Sequence, residues 1–206
     1  MDFYEIGNKA ADIVLVQSVD ARDTDSAETE ATRIREITGK DFCLTAFSVQ
    51  DWNKELSPWK APAVFGKEDF GEGAGDTLRE ILKYCVDPAK TYYIGGYSLA
   101  GLFALWAVHQ TDRFAGVAAV SPSVWFPDFD TYLKDHEILC GNVYLSLGDK
   151  EERTKNPVMA EVGNRIRGAQ ELFRSRGISS VLEWNEGNHF KEPDLRMAKG
   201  FVHFLL

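Results

Sequence analysis

Ser98 lies where a strand-like segment turns abruptly into an apolar, helix-like one. From residue 92 the chain reads Tyr-Tyr-Ile-Gly-Gly-Tyr-Ser-Leu-Ala-Gly-Leu-Phe-Ala, with Gly96 two positions before the serine and Ala100 two positions after it. Small residues at these positions let a strand and a helix crowd a tight turn. The layout is typical of a nucleophile elbow, which exposes a serine hydroxyl above a helix N-terminus. The alternative is an ordinary strand-to-helix junction that needs small residues for packing and contains a serine by chance.

A histidine is available to activate this serine. A serine hydroxyl is a poor nucleophile until a base takes its proton, and a carboxylate must hold that base in the correct tautomer. His189, in Gly-Asn-His-Phe, follows the last strand-like segment directly. His109 lies near the end of the elbow helix, His136 in a polar connector and His203 in the C-terminal helix. We therefore predict that His189 is the base.

The carboxylate is expected in the acidic turn that follows residue 147. The order serine, acid, histidine along the chain is that of α/β-hydrolases. In that fold the acid often lies three residues after a glycine at the end of a strand, and counting from Gly148 selects Glu151. Asp149 is the second choice, while Glu152 and Glu161 remain open.

An oxyanion hole requires two backbone N–H groups aimed at the developing negative charge. We expect one from Leu99, the residue after the nucleophile. The topology places the other in the loop after the first strand, at Ser18, Val19 or Asp20. We assign it to Ser18 and Val19.

Strand-like and helix-like segments alternate along the chain, which predicts one doubly wound α/β domain over residues 1–206 with about six mostly parallel strands and helices on both faces. Ligands bind at the carboxyl ends of such strands, so Ser98, Glu151 and His189 are expected at one edge. The predicted strands are Asp12–Ser18, Phe42–Val49, a segment from Thr91 into the elbow, Phe114–Ser121, Asn142–Leu147 and Ser179–Trp184. The predicted helices are Glu30–Thr38 after a polar stretch (Asp20–Thr29), Asp76–Cys85 with Asp76 as N-cap, the elbow helix, Pro157–Ser175 and Asp194–Leu206.

The segment from Asp51 to Phe70 is a long loop rich in aromatic residues, which suggests a functional role. Trp52 and Trp59 are its candidates for the substrate pocket, although both could simply cap the core. The glycine-rich stretch that follows, Phe70–Gly75, lacks a preceding strand and a Gly-Lys-Ser/Thr ending. It is therefore not a phosphate-binding loop.

Composition narrows the class of protein. The 206 residues carry a net charge of −9, which argues against nucleic-acid and anionic-membrane partners. No apolar run approaches the roughly 18 residues of a membrane span, and the first residues do not resemble a secretory signal. Three widely spaced cysteines are expected to be buried free thiols, so we predict a cytoplasmic protein. A metal hydrolase is disfavoured because there is no HExxH motif, and we expect no cofactor.

Three blocks in the correct order carry a family resemblance: Gly-Gly-Tyr-Ser-Leu-Ala-Gly-Leu-Phe-Ala, Ser-Pro-Ser-Val-Trp-Phe and Gly-Asn-His-Phe. From about Ile13 onward the chain resembles the esterase family of α/β-hydrolases that includes enterochelin esterases, esterase D, feruloyl esterases and mycolyltransferases. It departs from that family in having Ala100 for the usual second glycine, and in lacking the N-terminal strands of larger members, a lid insertion and an evident Arg or Lys cluster.

The resemblance implies a serine hydrolase that cleaves a small-molecule carboxylic ester or thioester without a cofactor. Ser98 and His189 occupy the matching catalytic positions, and Trp125 is expected to line the pocket. Two alternatives remain: an acyltransferase with the same triad, and a non-catalytic module that retains the fold to bind a partner. An intact serine, acid and histidine argue against the last.

Overall fold

A seven-stranded sheet runs through the computed structural model, which describes residues 1–21 and 25–206. Its strands lie in the order β1-β3-β2-β4-β5-β6-β7, and all neighbours are parallel except β1 and β3. The strands are β1 Phe3–Gly7, β2 Ile13–Asp20, β3 Cys43–Val49, β4 Thr91–Tyr97, β5 Phe114–Val120, β6 Asn142–Gly148 and β7 Ser179–Asn185.

Helices cover both faces of this sheet. In the described ranges they are α1 Asp25–Thr38, α2 Trp52–Glu55, α3 Ala74–Tyr84, α4 Leu99–Ala107, α5 Phe129–Asp135, α6 Pro157–Ala160, α7 Val162–Ser175 and α8 Pro193–Leu205. The buried residues of α1 and α8 belong to one hydrophobic core, and those of α3, α4, α5 and α7 belong to the other. The predicted doubly wound α/β architecture is therefore confirmed.

The central strands are apolar on both faces because each face meets a core. In β2, Val14 and Val16 pack into the core that contains α4, whereas Leu15 packs into the core that contains α8. Side chains alternate across a strand, so a strand buried on both faces reads as a continuous apolar run. Because β2, β4, β5, β6 and β7 run parallel, their carboxyl ends lie at one edge of the sheet, where the candidate site forms.

The seventh strand, β1, was not predicted. It is a five-residue edge strand that pairs antiparallel with β3, from Phe3 opposite Phe47 to Gly7 opposite Cys43. It is at most half-buried, so it lacks the apolar run that marks the central strands. The described helices do not include one long and apolar enough to cross a membrane.

Several helix ends differ from the prediction. α1 begins at Asp25, so the second half of the supposed polar stretch is helical, with Ala27 buried; residues 22–24 of that stretch lie outside the described residues. α3 begins at Ala74 after Gly73, and Asp76 is not its cap. The helix predicted over Pro157–Ser175 is divided into α6 and α7 at Glu161. Helix ends depend on local turns and packing, which hydrophobic periodicity does not report.

Candidate active site

Ser98 occupies a strained turn between β4 and α4. Its backbone has φ 59° and ψ −121°, outside the regions that side-chain-bearing residues normally adopt. A Cβ atom on Gly96 would lie 2.3 Å from the carbonyl carbon and oxygen of Ala100, so only glycine fits there. Position 100 itself accommodates a methyl group. The local geometry is that of the predicted nucleophile elbow.

His189 joins Ser98 to Glu151. Its Nε2 lies 3.0 Å from Ser98 Oγ, and its Nδ1 lies 2.7 Å from Glu151 Oε2. An ionised carboxylate only accepts hydrogen bonds, so Nδ1 carries the proton and Nε2 is left to accept the one on the serine hydroxyl. The hydroxyl and tautomer are thus arranged for proton transfer from Ser98 to His189.

Glu151 is a buried carboxylate whose two oxygens are both occupied. Oε1 accepts hydrogen bonds from Ser121 Oγ (2.7 Å), Gly148 N (2.7 Å) and Arg196 Nη1 (3.0 Å). Burial raises the pKa of this carboxyl, but the hydrogen bond and charge of His189, with the bonds from Ser121 and Gly148, outweigh that effect and hold the pKa below its ordinary value. Glu151 is therefore ionised at neutral pH.

The other acidic candidates have different partners. Asp149 Oδ1 accepts the N–H of Gly187 at 2.7 Å, which supports the loop that leads to His189. Glu152 pairs with Arg167 at 3.3 Å, and Glu161 accepts from the Asn164 side chain at 3.1 Å. Of the four acidic residues considered, the structure brings Glu151 to the histidine.

Arg196 is a buried residue of the candidate site that sequence reasoning missed. It is only 2% exposed, and besides Glu151 it donates to Ser121 Oγ and Tyr97 Oη, both at 3.3 Å. Its Nη2 donates at 3.0 Å to the carbonyl oxygens of Glu186 and Asn188, which precede His189. The guanidinium therefore neutralises the buried carboxylate and holds the histidine loop against it.

Tyr97 supports the same loop from the strand side, because its hydroxyl donates to the carbonyl oxygen of His189 at 2.6 Å. Arg196 belongs to none of the sequence motifs, and Tyr97, although it lies within the elbow motif, has no sequence feature that indicates this role. One weak signal was available: a cation in the first turn of a helix opposes the helix dipole, so Arg196 near the start of α8 requires a compensating anion.

The oxyanion-hole assignment needs correction. Ala21 N donates to Val49 O, and successive N–H groups along a strand point to opposite neighbours, so the N–H of Val19 also points to β3. The N–H of Ser18 points to β4, where it closes the last pair, Gln17 with Gly95. Both groups belong to the sheet ladder rather than to the cleft. Along β2 beyond the pair of Gln17 with Gly95, the next N–H that faces the β4 side belongs to Asp20.

Leu99 directly follows Ser98, and an oxyanion role for its N–H stays a prediction. Leu99 is the first residue of α4, where an N–H has no acceptor within its own helix. This group points out of the helix N-terminus on which Ser98 sits.

A cleft of about 590 Å³ opens over Ser98 and His189. Trp52 and Trp125 line it, as do Phe65 and Phe190, which the sequence did not single out. Trp59 is not among its described lining residues. Its indole packs against Phe126, Phe129 and Tyr132 and donates to Pro127 O at 3.1 Å, so Trp59 caps the core and the pocket assignment is corrected.

A larger cavity of about 1000 Å³ lies beside α2 and α3, and its described lining includes neither Ser98 nor His189. Within the described part of the chain, no three His, Cys, Asp or Glu side chains form a group that could hold a metal ion.

Comparisons with known proteins bear on the fold. No family model matches the chain, and no curated protein sequence does. Among solved structures it is similar to an IroE-like serine hydrolase from Shewanella oneidensis, with TM-score 0.78, 13% identity, and coverage of 98% of this chain and 75% of that one. It is also similar to the siderophore hydrolase EstA from Aspergillus nidulans, with TM-score 0.63, 17% identity, and coverage of 99% of this chain and 93% of that one. A capsule O-acetyltransferase of Neisseria meningitidis serogroup A matches with TM-score 0.59, 10% identity, and coverage of 98% of this chain and 90% of that one. The predicted resemblance is confirmed at the level of the fold: the chain has the α/β-hydrolase fold that it shares with these solved structures.

Proposed function

We propose that this protein is a serine hydrolase that cleaves a carboxylic ester or thioester through an acyl-enzyme on Ser98. The observation that carries the proposal is the unbroken hydrogen-bond chain from Ser98 Oγ through His189 to the buried Glu151, set on a strained elbow. Strain of this kind costs free energy, and it persists where the surrounding structure holds a residue in a functional position. The partner that we propose for the protein is its substrate, a small-molecule ester.

The reaction follows from these positions. Ser98 Oγ attacks the ester carbonyl while its proton passes to His189 Nε2, and Glu151 stabilises the imidazolium that forms. The N–H of Leu99 lies at the start of α4, where it supports the developing oxyanion. Collapse of the tetrahedral intermediate expels the alcohol or thiol, which takes the proton from Nε2. Water then attacks the acyl-enzyme, gives a proton to Nε2, and releases the acid as Ser98 recovers its hydrogen.

Structural relatives support ester chemistry in general, since a serine hydrolase and a siderophore hydrolase share the fold. An acyltransferase is the second candidate, because a capsule O-acetyltransferase shares it too. The two differ in whether water or an alcohol resolves the acyl-enzyme, so adding acceptor alcohols and analysing for a transfer product separates them. Three buried free cysteines fit a reducing compartment, and the cytoplasm remains the proposed location.

Ser98→Ala should abolish hydrolysis of short acyl, aryl and thiol esters while changing the free energy of unfolding by no more than about 1 kcal/mol, since it removes one hydroxyl. Initial rates and thermal unfolding of the two proteins provide the test. A matched control is Ser175→Ala, which removes an exposed hydroxyl in the last turn of α7. Activity of Ser98→Ala close to that of the unmodified protein would remove Ser98 from the mechanism.

A further inference from the structure

The charged side chains of the cleft lining that form no ion pair with a described residue are positive. The charged lining consists of Lys150, Glu151 and Arg153 beside His189. Glu151 is already matched by Arg196 and His189. Neither Lys150 nor Arg153 forms an ion pair with any described residue, and Glu186, the acid that feels the charge of Lys150, is paired with Lys191 at 2.9 Å. Two cations therefore line the cleft without an ion-pair partner among the described residues.

This local sign is opposite to that of the whole protein, which has a net charge of −9. On an acidic surface, two exposed cations within a concave, partly apolar site create a local attraction for anions. Lys150 and Arg153 flank Glu151 in the turn after β6, so their positions are tied to that of the catalytic carboxylate.

Aromatic residues form part of the remaining cleft lining, which also includes Met159 and Val162. Phe190 directly follows His189, is 85% exposed and meets the imidazole edge-on at 5.4 Å between ring centroids. Phe65 is 45% exposed and stands edge-on to the buried Trp125 at 5.8 Å. Exposed aromatic rings at the entrance of a site of this volume are available to pack against an aromatic ligand.

We propose that the substrate is an aromatic ester that carries a negative charge, such as a carboxylate, on its aromatic ring. The ring packs between Phe190 and the pair Phe65 and Trp125, while Lys150 and Arg153 attract the anionic group. The inference rests on the proposed function, because it names the substrate of the same site.

Two matched pairs of esters test it. The first pair comprises 4-nitrophenyl benzoates with a para-carboxylate or the para-carboxamide of nearly equal size; the second comprises phenyl acetates with the same two substituents. Each kcat/KM is divided by the rate of hydroxide hydrolysis to remove intrinsic reactivity. We expect the carboxylate to be preferred in at least one pair by about threefold to tenfold at low salt, and the preference to shrink at high salt.

Variants locate the cause of the preference. Lys150→Gln and Arg153→Gln should each lower kcat/KM several times more for the carboxylate ester than for the amide. Lys155→Gln, which removes a nearby cation outside the described cleft lining, is the matched control and should keep the preference. No preference in either pair, or the same preference after both substitutions, would overturn the inference.

The outcome is separable from that of the proposed function. Hydrolysis that depends on Ser98 but ignores the charge leaves the function standing and refutes the substrate class. If no ester is cleaved, binding of terephthalate against its diamide to Ser98→Ala still decides the charge preference, with tighter binding of the dianion expected.

Discussion

At the scale of single residues, the site is organised around a buried carboxylate. Removing a carboxylate from water is costly unless its charge and its oxygens are compensated. Glu151 receives four hydrogen bonds, one of them from the guanidinium of Arg196. The groups that compensate its charge come from the residue after β5, from β6, from α8 and from the histidine loop, which makes Glu151 a structural centre of the candidate site.

Substitution of this acid should be far more damaging than substitution of its neighbour. Glu151→Gln should lower kcat/KM by about 10³- to 10⁴-fold, because an amide neither stabilises the imidazolium nor fixes the tautomer. Asp149→Asn is the matched control and should cost less than about tenfold, since Asp149 only supports Gly187. Steady-state rates of both variants provide the measurement, and small, equal losses would contradict the assignment of Glu151.

Spacing explains which of these residues could be predicted. Ser98, Glu151 and His189 each follow the end of a strand, at an address that topology makes visible in the sequence. Arg196 and Tyr97 could not be found in this way, because they reach the site through contacts between residues that are far apart in the chain. Ser18 and Val19 were misjudged because hydrogen-bond register, which no sequence pattern reports, decides where a strand N–H points.

At the scale of elements, the elbow depends on the absence of one methyl group. Gly96→Ala should destabilise the fold by about 3 kcal/mol and abolish activity, because the new Cβ would collide with the Ala100 carbonyl. Gly168→Ala, at an exposed position within α7 where a Cβ meets nothing within 4 Å, should instead stabilise by about 0.5–1 kcal/mol. Chemical unfolding of both variants checks this, and a fully active, stable Gly96→Ala would refute the geometry.

Elements were predictable where burial dominates. The central strands β2 to β6 appear within about two residues of their predicted bounds, because both of their faces are buried. The edge strand β1 and the first turns of α1 carry polar side chains and expose one face to solvent. Their structure therefore depends on contacts with neighbouring elements rather than on the hydrophobic pattern of their own sequence.

At the scale of the whole molecule, stability should depend on pH through a histidine remote from the site. His109 is buried, and burial lowers its pKa from the ordinary 6.5 to about 4. Its Nδ1 hydrogen-bonds Glu137 O at 2.9 Å, while its buried Nε2 has no partner in the described structure. A proton on this ring is therefore unfavourable in the folded state.

The sign of the effect follows from the lower folded pKa. As the pH falls, His109 binds a proton in the unfolded chain before it does so in the folded protein. The contribution of neutral His109 to the free energy of unfolding is therefore complete above pH 6.5 and is lost as the pH falls toward 4. The difference between the two pKa values of His109 corresponds to a loss of about 3 kcal/mol in the free energy of unfolding, at about 1.4 kcal/mol per pH unit. Urea unfolding of His109→Gln between these pH values should show a correspondingly weaker pH dependence. An unchanged slope would contradict the account.

The overall topology was predictable because segments with the hydrophobic pattern of a strand alternate along the chain with segments that have the pattern of a helix. Such alternation specifies a doubly wound sheet. The cleft was predictable only in part. Trp52 and Trp125 line it as expected, but Phe65, Phe190, Lys150 and Arg153 were not singled out, because these residues come from separate segments that meet only in the folded chain. The sequence alone therefore indicates the reaction better than the substrate.

The most direct test of the central claim, an activated Ser98, is intact mass spectrometry after treatment with a fluorophosphonate, with Ser98→Ala measured alongside. We predict a single adduct on the unmodified protein and none on the variant, because only a serine whose proton is accepted by His189 reacts readily with this reagent. The absence of an adduct at high reagent excess, or an equal adduct on Ser98→Ala, would contradict the claim.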